Sequence, residues 1–497
     1  MARAPAEVVA RLREALRTVD YGYDAVTALL GPTAHAALSR NETVPGLRAT
    51  QDRSPLATLV RLWLLQAAVP IDDAERALPG LVDPLCAHGI LRRSVGEVAA
   101  TVDLRPYGTD NRNLWVVSDL TPGLDGRAAR VAADHVLGIS SASTSLAQLT
   151  VRGPARRALD LGTGCGVQAL HLTAHAGHVV ATDVNRRALW LARLNADLNG
   201  VGDGIELREG SFYEPVRGEE FDLVVSNPPF VISPATDERL VYRDSGLPGD
   251  RAVQHVVQGA ARHLAQGGTA QVLANWLCLR DRPWDERLAG WLDAAREPDA
   301  CDAWVVQREV ADLPSYVELW LKDAGLHPST GGSVDDYRRR YDTWLTWFDE
   351  QGAEAIGFGW INLRRTAQPP VLRLEEWPWE VAQPLGDEVA AWFERVDRLR
   401  GLDDEALLGH RLVTRADVVQ ETHGAPGAEH PAEVVLRQQA GLRRARQVDT
   451  ATAALVGACD GELELGRLLA AVEQLTGATV PVDTVRALVT EGYLSLP

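Results

Sequence analysis

Apolar positions change their period along the chain, and the changes divide it. Up to residue 95 they recur at three- and four-residue steps in short stretches, beginning with MARAPAEVVARLREALR. Gly31-Pro32, Pro45-Gly46, Pro70 and Pro79-Gly80 separate these stretches. That spacing predicts short amphipathic helices, each ended by residues that cannot continue a helix. Two segments, VGEVAATVDLRPYG (95–108) and NLWVVSDL (113–120), then alternate apolar and polar residues. Alternation with period two predicts a small β-hairpin.

From about residue 150 the pattern becomes strand, loop, helix, repeated, which predicts a parallel α/β sheet. The predicted strands are Arg157–Leu161, Val179–Asp183, Ile205–Arg208, Asp222–Ser226 and Thr269–Ala274, with helices over Arg187–Leu198 and Ala252–Leu264. Beyond 275 the periods blur; Trp304–Gln307, Ile356–Leu363 and Val371–Leu374 are strand candidates without a fixed order. Residues 400–497 read as helices again. There LVTEGYL (488–494) echoes LCAHGIL (85–91), so helix-plus-hairpin modules of the winged-helix kind are expected at both ends.

The length of 497 residues suggests about three domains. A hydrophobic share of 46% with 24% charged residues belongs to a globular chain, neither disordered nor collagen-like. The net charge of −18 argues against a generally basic, nucleic-acid-binding surface. Residues 1–100 agree, with 11 Arg against 11 acidic residues. Lys322 is the sole lysine, so the arginine excess reads as codon bias of a GC-rich genome. Five widely spaced cysteines without a CxxC predict neither a disulfide framework nor a zinc site. The apolar run Leu56–Val69 is broken by Arg61 and too short to span a bilayer, and Glu7 and Glu14 interrupt the first helix. A cytoplasmic protein with no membrane partner and no metal is the expectation.

The candidate chemistry begins in RALDLGTGCGVQAL (157–170). A strand ends in Asp160, and Gly162, Thr163, Gly164 and Gly166 form a loop before a helix. Glycines are needed where the backbone turns sharply and a ligand must approach the main chain. Asp183 closes the next strand, where a carboxylate can accept both hydroxyl hydrogens of a ribose. Together these predict a cofactor containing adenosine; nicotinamide enzymes use a similar loop, so the loop leaves its identity open. The tetrapeptide Asn227-Pro228-Pro229-Phe230 follows the strand DLVVS directly. Its prolines forbid continuation of helix or ladder and hold Asn227 at the carboxyl end of the sheet. The Asn227 amide oxygen and the Pro228 carbonyl make a pair of acceptors for an NH2 group, and Phe230 offers a flat face to a planar substrate.

DLGTGCG, ATD, the GSFYEP turn and NPPF, in that order and spacing, resemble motifs of class I S-adenosylmethionine-dependent methyltransferases. NPPF is similar to the amino-methyltransferase branch, and NPPFVISP most resembles the release-factor glutamine methyltransferases. The likeness covers residues 140–275 and extends towards 365. It implies a Rossmann-like α/β fold with a seven-stranded methyltransferase sheet, in a domain over 126–395; the helix and hairpin patterns put winged-helix-like modules over 1–125 and 396–497 on either side. It further implies that Asp160 and the loop Gly162, Thr163, Gly164 and Gly166 hold the methionine part of S-adenosyl-L-methionine. Asp183 would take the ribose, Ser211 and Phe212 would flank the adenine, and Asn227, Pro228, Pro229 and Phe230 would form the catalytic segment. Ser211 stands where many relatives carry an acid, and Phe230 where glutamine methylators carry Tyr.

The implied reaction is N-methylation of a planar NH2 group, with a glutamine amide of a protein or peptide preferred. Methylation of an exocyclic base amine in ribosomal RNA is the alternative, and a catalytically inactive winged-helix binding protein a third reading. Other features read as structural. Cys165 is a small residue lining the loop, and His171, His175 and His178 lack metal-ligand spacing. Eleven of the 14 Trp fall between 276 and 392 and suggest a large aromatic core. Arg437, Arg443, Arg444 and Arg446 read as a solvated basic helix face, and Thr144 as a contact in a cofactor lid over Ser140–Leu149.

Overall fold

The computed structural model describes residues 5–109, 112–126, 132–229, 231–234, 247–293, 300–426 and 431–496. It divides into two compact units, one of residues 1–147 with 153–368 and one of residues 148–152 with 369–497.

The first unit is built on strands β1 (Ala155–Leu161), β2 (Ala176–Asp183), β3 (Ile205–Glu209), β4 (Phe221–Ser226), β5 (Leu264–Leu279), β6 (Cys301–Asp312) and β7 (Ala353–Arg365). They are hydrogen-bonded in the order β3-β2-β1-β4-β5-β7-β6. The first five run parallel, and β7 is antiparallel to both neighbours. Helices α1 (Val167–Leu172), α2 (Arg186–Leu198) and α3 (Arg251–His263) provide crossovers between parallel strands. This is the Rossmann-like α/β arrangement that the resemblance implies. Strands buried on both faces explain the near-continuous apolar runs, such as Leu223–Val225 on β4. Helix α4 (Trp284–Asp293) precedes β6, and a helix pair, α5 (Leu313–Asp323) and α6 (Val334–Glu350), is inserted between β6 and β7. The tryptophans are chiefly core residues: Trp276, Trp304, Trp320 and Trp344 are buried.

The N-terminal helices belong to the same unit. The alternating segment 95–108 does not form one hairpin arm. Glu97–Ala100 joins Val69–Pro70 and Leu91–Arg93 in a small antiparallel sheet, whereas Val102–Gly108 pairs with Asn113–Asp119. Period two is the same in both halves, so the pattern could not show the change of partner at Thr101.

Strand Asn113–Asp119 is held against α2 by side chains that pair with its backbone. Asn195 accepts from Val117 N at 2.7 Å and donates to Val117 O at 2.8 Å and to Cys165 O at 2.7 Å. Asn199 accepts from Trp115 N and donates to Trp115 O. Arg187 binds both carboxylate oxygens of Asp119, with Nε at 2.7 and 2.9 Å. Residues 115, 117 and 119 share one side of the strand's backbone edge, so α2 serves it as a substitute β-partner. Arg112 adds a hydrogen bond to Leu170 O at the end of α1, where a cation meets the negative end of the helix.

In the second unit the residues after 400, read from the sequence as mainly helical, also contain a three-stranded sheet. Val418–His423, Glu433–Gln438 and Ala445–Val448 form an antiparallel sheet. Val434, Leu436 and Gln438 point inwards from the middle strand, a one-sided alternation hidden among many polar residues. The supposed basic helix face is likewise strand and turn. Arg437 pairs with Glu421, Arg444 with Glu375 and Arg446 with Glu491, so their charges are locally matched. The sheet packs with helices Thr450–Ala458, Leu465–Thr476 and Val482–Thr490 around Leu407, Leu436, Leu455, Leu488 and Tyr493. The echo between LVTEGYL and LCAHGIL is one helix-ending turn used twice. Ile90 N bonds Leu85 O and Tyr493 N bonds Leu488 O, around Gly89 at φ 66° and Gly492 at φ 80°. Only glycine enters that left-handed position without cost.

The Asn195 clamp is measurable. Asn195→Ala leaves Val117 and Cys165 backbone groups buried without their partner, a cost of about 3 kcal/mol. Urea unfolding is expected to show a lowered midpoint, and Asn195→Asp, lacking both donors, is expected to lose most of the same. An unchanged midpoint would remove the clamp from the account of this unit's stability.

Candidate active site

The site is set by where three parallel strands stop. Leu161 pairs in register with both Thr182 and Ser226. The segments that follow β1, β2 and β4 therefore emerge side by side at the carboxyl edge. Ser226, fully buried, donates its hydroxyl to Leu161 O at 2.9 Å and ties the root of Asn227 to the root of the glycine loop.

The loop folds back onto β2: Gly162 N and Thr163 N both donate to Thr182 O at 2.9 Å, and Gly166 N donates to Thr163 O. The glycines serve different needs. Gly162 (φ 76°) and Gly164 (φ 55°) take left-handed backbone, and a Cβ at either would meet open space. Gly166 (φ 88°) caps α1 and lies against α2, where its Cβ would stand 3.1 Å from that of Ala192. The first two leave main chain open to a ligand; the third permits close helix packing.

Asp160 is buried beneath the loop and accepts from Thr163 Oγ1 at 2.6 Å and Ala169 N at 2.9 Å. Burial, opposed by these two hydrogen bonds and aided by the nearby Asp183 charge, raises its carboxyl to about 7. Asp183, partly exposed at the end of β2, accepts from Asn185 N on Oδ1 at 2.8 Å and from Gly164 N on Oδ2 at 2.9 Å. Burial raises this carboxyl too. Each oxygen keeps a lone pair for a further donor, as a ribose diol would require.

Gly210 N donates to Asp183 O, which brings Ser211 and Phe212 beside the same strand end. The Phe212 ring stands edge-on to His255 of α3, centroids 4.7 Å apart. Asn227 follows Ser226 directly, and its Oδ1 is buried without a hydrogen-bond partner among the described residues. A buried unpaired acceptor is costly unless something supplies a donor. Pro228 is buried and Pro229 partly so; Phe230 lies outside the described residues. Asp160, Gly162, Thr163, Gly164, Gly166, Asp183, Ser211, Phe212, Asn227, Pro228 and Pro229 thus share one edge of the sheet.

Open main chain at two glycines, a diol-sized pair of carboxylate acceptors and an orphaned amide oxygen fit a nucleoside cofactor with an NH2-bearing substrate beside it. Cys165 is buried, and desolvation pushes its thiol up to about 12, so it stays protonated and inert. Thr144 Oγ1 lies 3.0 Å from Ser141 O, within its own helix turn. Among the described residues, no cluster of His, Cys, Asp and Glu could hold a metal, and no helix is long and apolar enough to cross a membrane.

The sequence reading missed the residues that brace this edge. Asn185 Nδ2 donates to Asp134 O, and Val136 is tied through both its backbone groups to Asp119, which Arg187 holds. Asn195 had a signal: it is a polar residue in the apolar phase of α2, one turn after Leu191.

A family model described as a methyltransferase small domain matches residues 138–281. Two domains of unknown function match 18–101 and 390–495. A release factor glutamine methyltransferase of Cereibacter sphaeroides is 33% identical over 218 residues, 41% of this chain and 73% of that protein. One from Xylella fastidiosa is 38% identical over 27% of this chain and 49% of its own length. A ribosomal protein uL3 glutamine methyltransferase of Bradyrhizobium diazoefficiens is 28% identical over 28% of this chain and 46% of that protein. The chain thus spans about half the length of most of these relatives.

The raised Asp160 carboxyl gives a signed prediction. The folded protein holds this proton more tightly than the unfolded chain. The group's contribution to stability is therefore present below the ordinary carboxylate range and lost as pH rises through about 7. A ligand cation at Asp160 prefers the ionised form, so calorimetric affinity for S-adenosylmethionine should rise with pH up to about 7 and then level. Asp160→Asn should flatten that slope; a slope unchanged in the variant would assign it to another group.

Proposed function

The chain belongs to the class I S-adenosylmethionine-dependent methyltransferases of the release-factor glutamine type, and from that premise we propose that it methylates the side-chain amide of a glutamine in a protein or peptide. The observation that carries this reading is the buried Asn227 Oδ1 beside the glycine loop, without a hydrogen-bond partner among the described residues. S-Adenosylmethionine, when bound, supplies an already activated methyl group, so the chain needs no metal or covalent nucleophile. Its own residues have two tasks.

The first is to hold the cofactor: Asp160 and the Gly162–Gly166 loop at its methionine end, Asp183 at the ribose, Ser211 and Phe212 at the adenine. The second is to hold the nitrogen. An amide nitrogen is a poor nucleophile because its lone pair is delocalised into the carbonyl. With its two N–H groups donated to Asn227 Oδ1 and the Pro228 carbonyl, the nitrogen is fixed and the positive charge developing on it is stabilised. Fixing the amide in line also removes much of the entropic barrier, several kcal/mol by general estimates. A carbonyl pair is suited to this task because, as a neutral acceptor, it stabilises the N–H dipoles without removing the proton early. Charge on the chain agrees with a protein substrate: its net −18 offers no general attraction to nucleic acid.

Asn227→Ala is expected to leave S-adenosylmethionine affinity within about twofold while turnover on a glutamine-bearing release factor or ribosomal protein falls on the order of 100- to 1,000-fold. Calorimetry and a radiolabelled-methyl assay check the two quantities separately. Label transferred in lysate that is lost to ribonuclease and kept after protease would overturn the glutamine reading in favour of a nucleobase.

A further inference from the structure

The inserted pair α5–α6 lies outside the matched methyltransferase segment, 138–281, yet it follows β6 at the edge where Asn227 sits. Strand β6 neighbours β7, which is antiparallel to both β5 and β6, so β6 runs parallel to β4 and ends on the same side. Val231 and Ile232 are buried in one cluster with Tyr316, Val317 and Trp320 of α5 and Trp344 and Phe348 of α6. Within that cluster the Ile232 backbone N–H donates to the Tyr316 hydroxyl at 2.8 Å. Both residues are fully buried. The Tyr316 ring is enclosed by Trp320, Trp344, Phe348 and Phe358, with centroids 5.9 to 6.3 Å away. A second hold lies further on: Gly249 N donates to Ser233 O, and Gly249 faces Trp347 of α6.

Apolar burial alone leaves a segment free to slide along the surface that covers it, because dispersion and the hydrophobic effect have little direction. One directional bond from an immobilised ring removes that freedom. The reaction proposed above asks for such precision, since a small misplacement of an acceptor carries a large cost in rate. Resting on that reading, we propose that Tyr316 is the positioning residue of the acceptor segment. It fixes Ile232 and thereby the carbonyl of Pro228 and the amide of Asn227, and α5–α6 is the element through which this chain shapes its methyl-acceptor side.

Tyr316→Phe keeps the ring and removes only the oxygen. Turnover on the glutamine-bearing protein is expected to fall about tenfold or more, with the S-adenosylmethionine dissociation constant within twofold of wild type. In the same variant, hydrogen exchange at the Ile232 amide should accelerate while that of Gly162–Gly166 does not. A role confined to stability would lower the melting temperature and leave turnover at 25 °C intact, which would overturn the proposal. Equal losses of cofactor affinity and turnover would overturn it as well, since the effect would then not be confined to the acceptor side. If even the wild-type protein methylates no glutamine, the functional reading falls by itself. Exchange at Ile232 then still decides the Tyr316 assignment: unchanged protection defeats it, and lost protection supports it. Should the Phe variant fail to fold, the Ile232 amide of the wild-type protein is read directly: exchange as fast as that of an exposed amide defeats the proposal, and exchange only through global unfolding supports it.

Discussion

Three parallel strands end level with one another, and nearly everything else in the site depends on it. Leu161 is in register with Thr182 on one side and Ser226 on the other. A slip of one residue in either pairing would turn alternate side chains to the opposite face and carry Asp183 or Asn227 away from the loop. The register is enforced where it matters by buried bonds between strand ends. Thr182 O takes two loop N–H groups, and Leu161 O takes the Ser226 hydroxyl. The loop can then remain short, with Gly162 exposed and Gly164 partly so, because its two ends are anchored to structure that is already fixed.

This edge is braced from both sides by parts of the chain that carry no cofactor motif. On the side of Asp183, α2 reads the backbone of strand Asn113–Asp119 with Asn199 and Asn195 and holds its Asp119 carboxylate with Arg187, and Asn195 reaches the glycine loop through Cys165 O. The N-terminal helices and hairpin are therefore continuous with the α/β core in one compact unit. On the acceptor side the insert between β6 and β7 encloses Val231 and Ile232. The electrostatics follow the same division. Burial raises the carboxyls of Asp160 and of the partly exposed Asp183, whereas the carboxylates Asp119 and Glu375 have arginine partners. The ion pairs hold architecture, and acids raised by burial are the kind that cluster where a ligand binds.

The sequence by itself determined the parallel sheet core and the candidate residues at its carboxyl edge. Each of these depends on local chemistry that spacing records. Glycines at 162, 164 and 166 are required by left-handed backbone, an acid is required at the end of a strand, and prolines stop β4 after Ser226. Short apolar runs bounded by turn residues are consistent with strands buried on both faces. Tertiary structure decided what has no local period. Thr101 divides an unbroken alternation between two sheets, and Val418–His423, Glu433–Gln438 and Ala445–Val448 became a one-sided sheet although their composition is polar. The four arginines expected on a helix were strand and turn residues, and Arg437, Arg444 and Arg446 are matched by acids distant in sequence. Asn195 and Tyr316 were illegible for the deeper reason that their partners are backbone groups, Val117 and Cys165 for one and Ile232 for the other. A backbone N–H or C=O is the same at every position, so no sequence pattern can name which one a side chain will meet until the chain has folded.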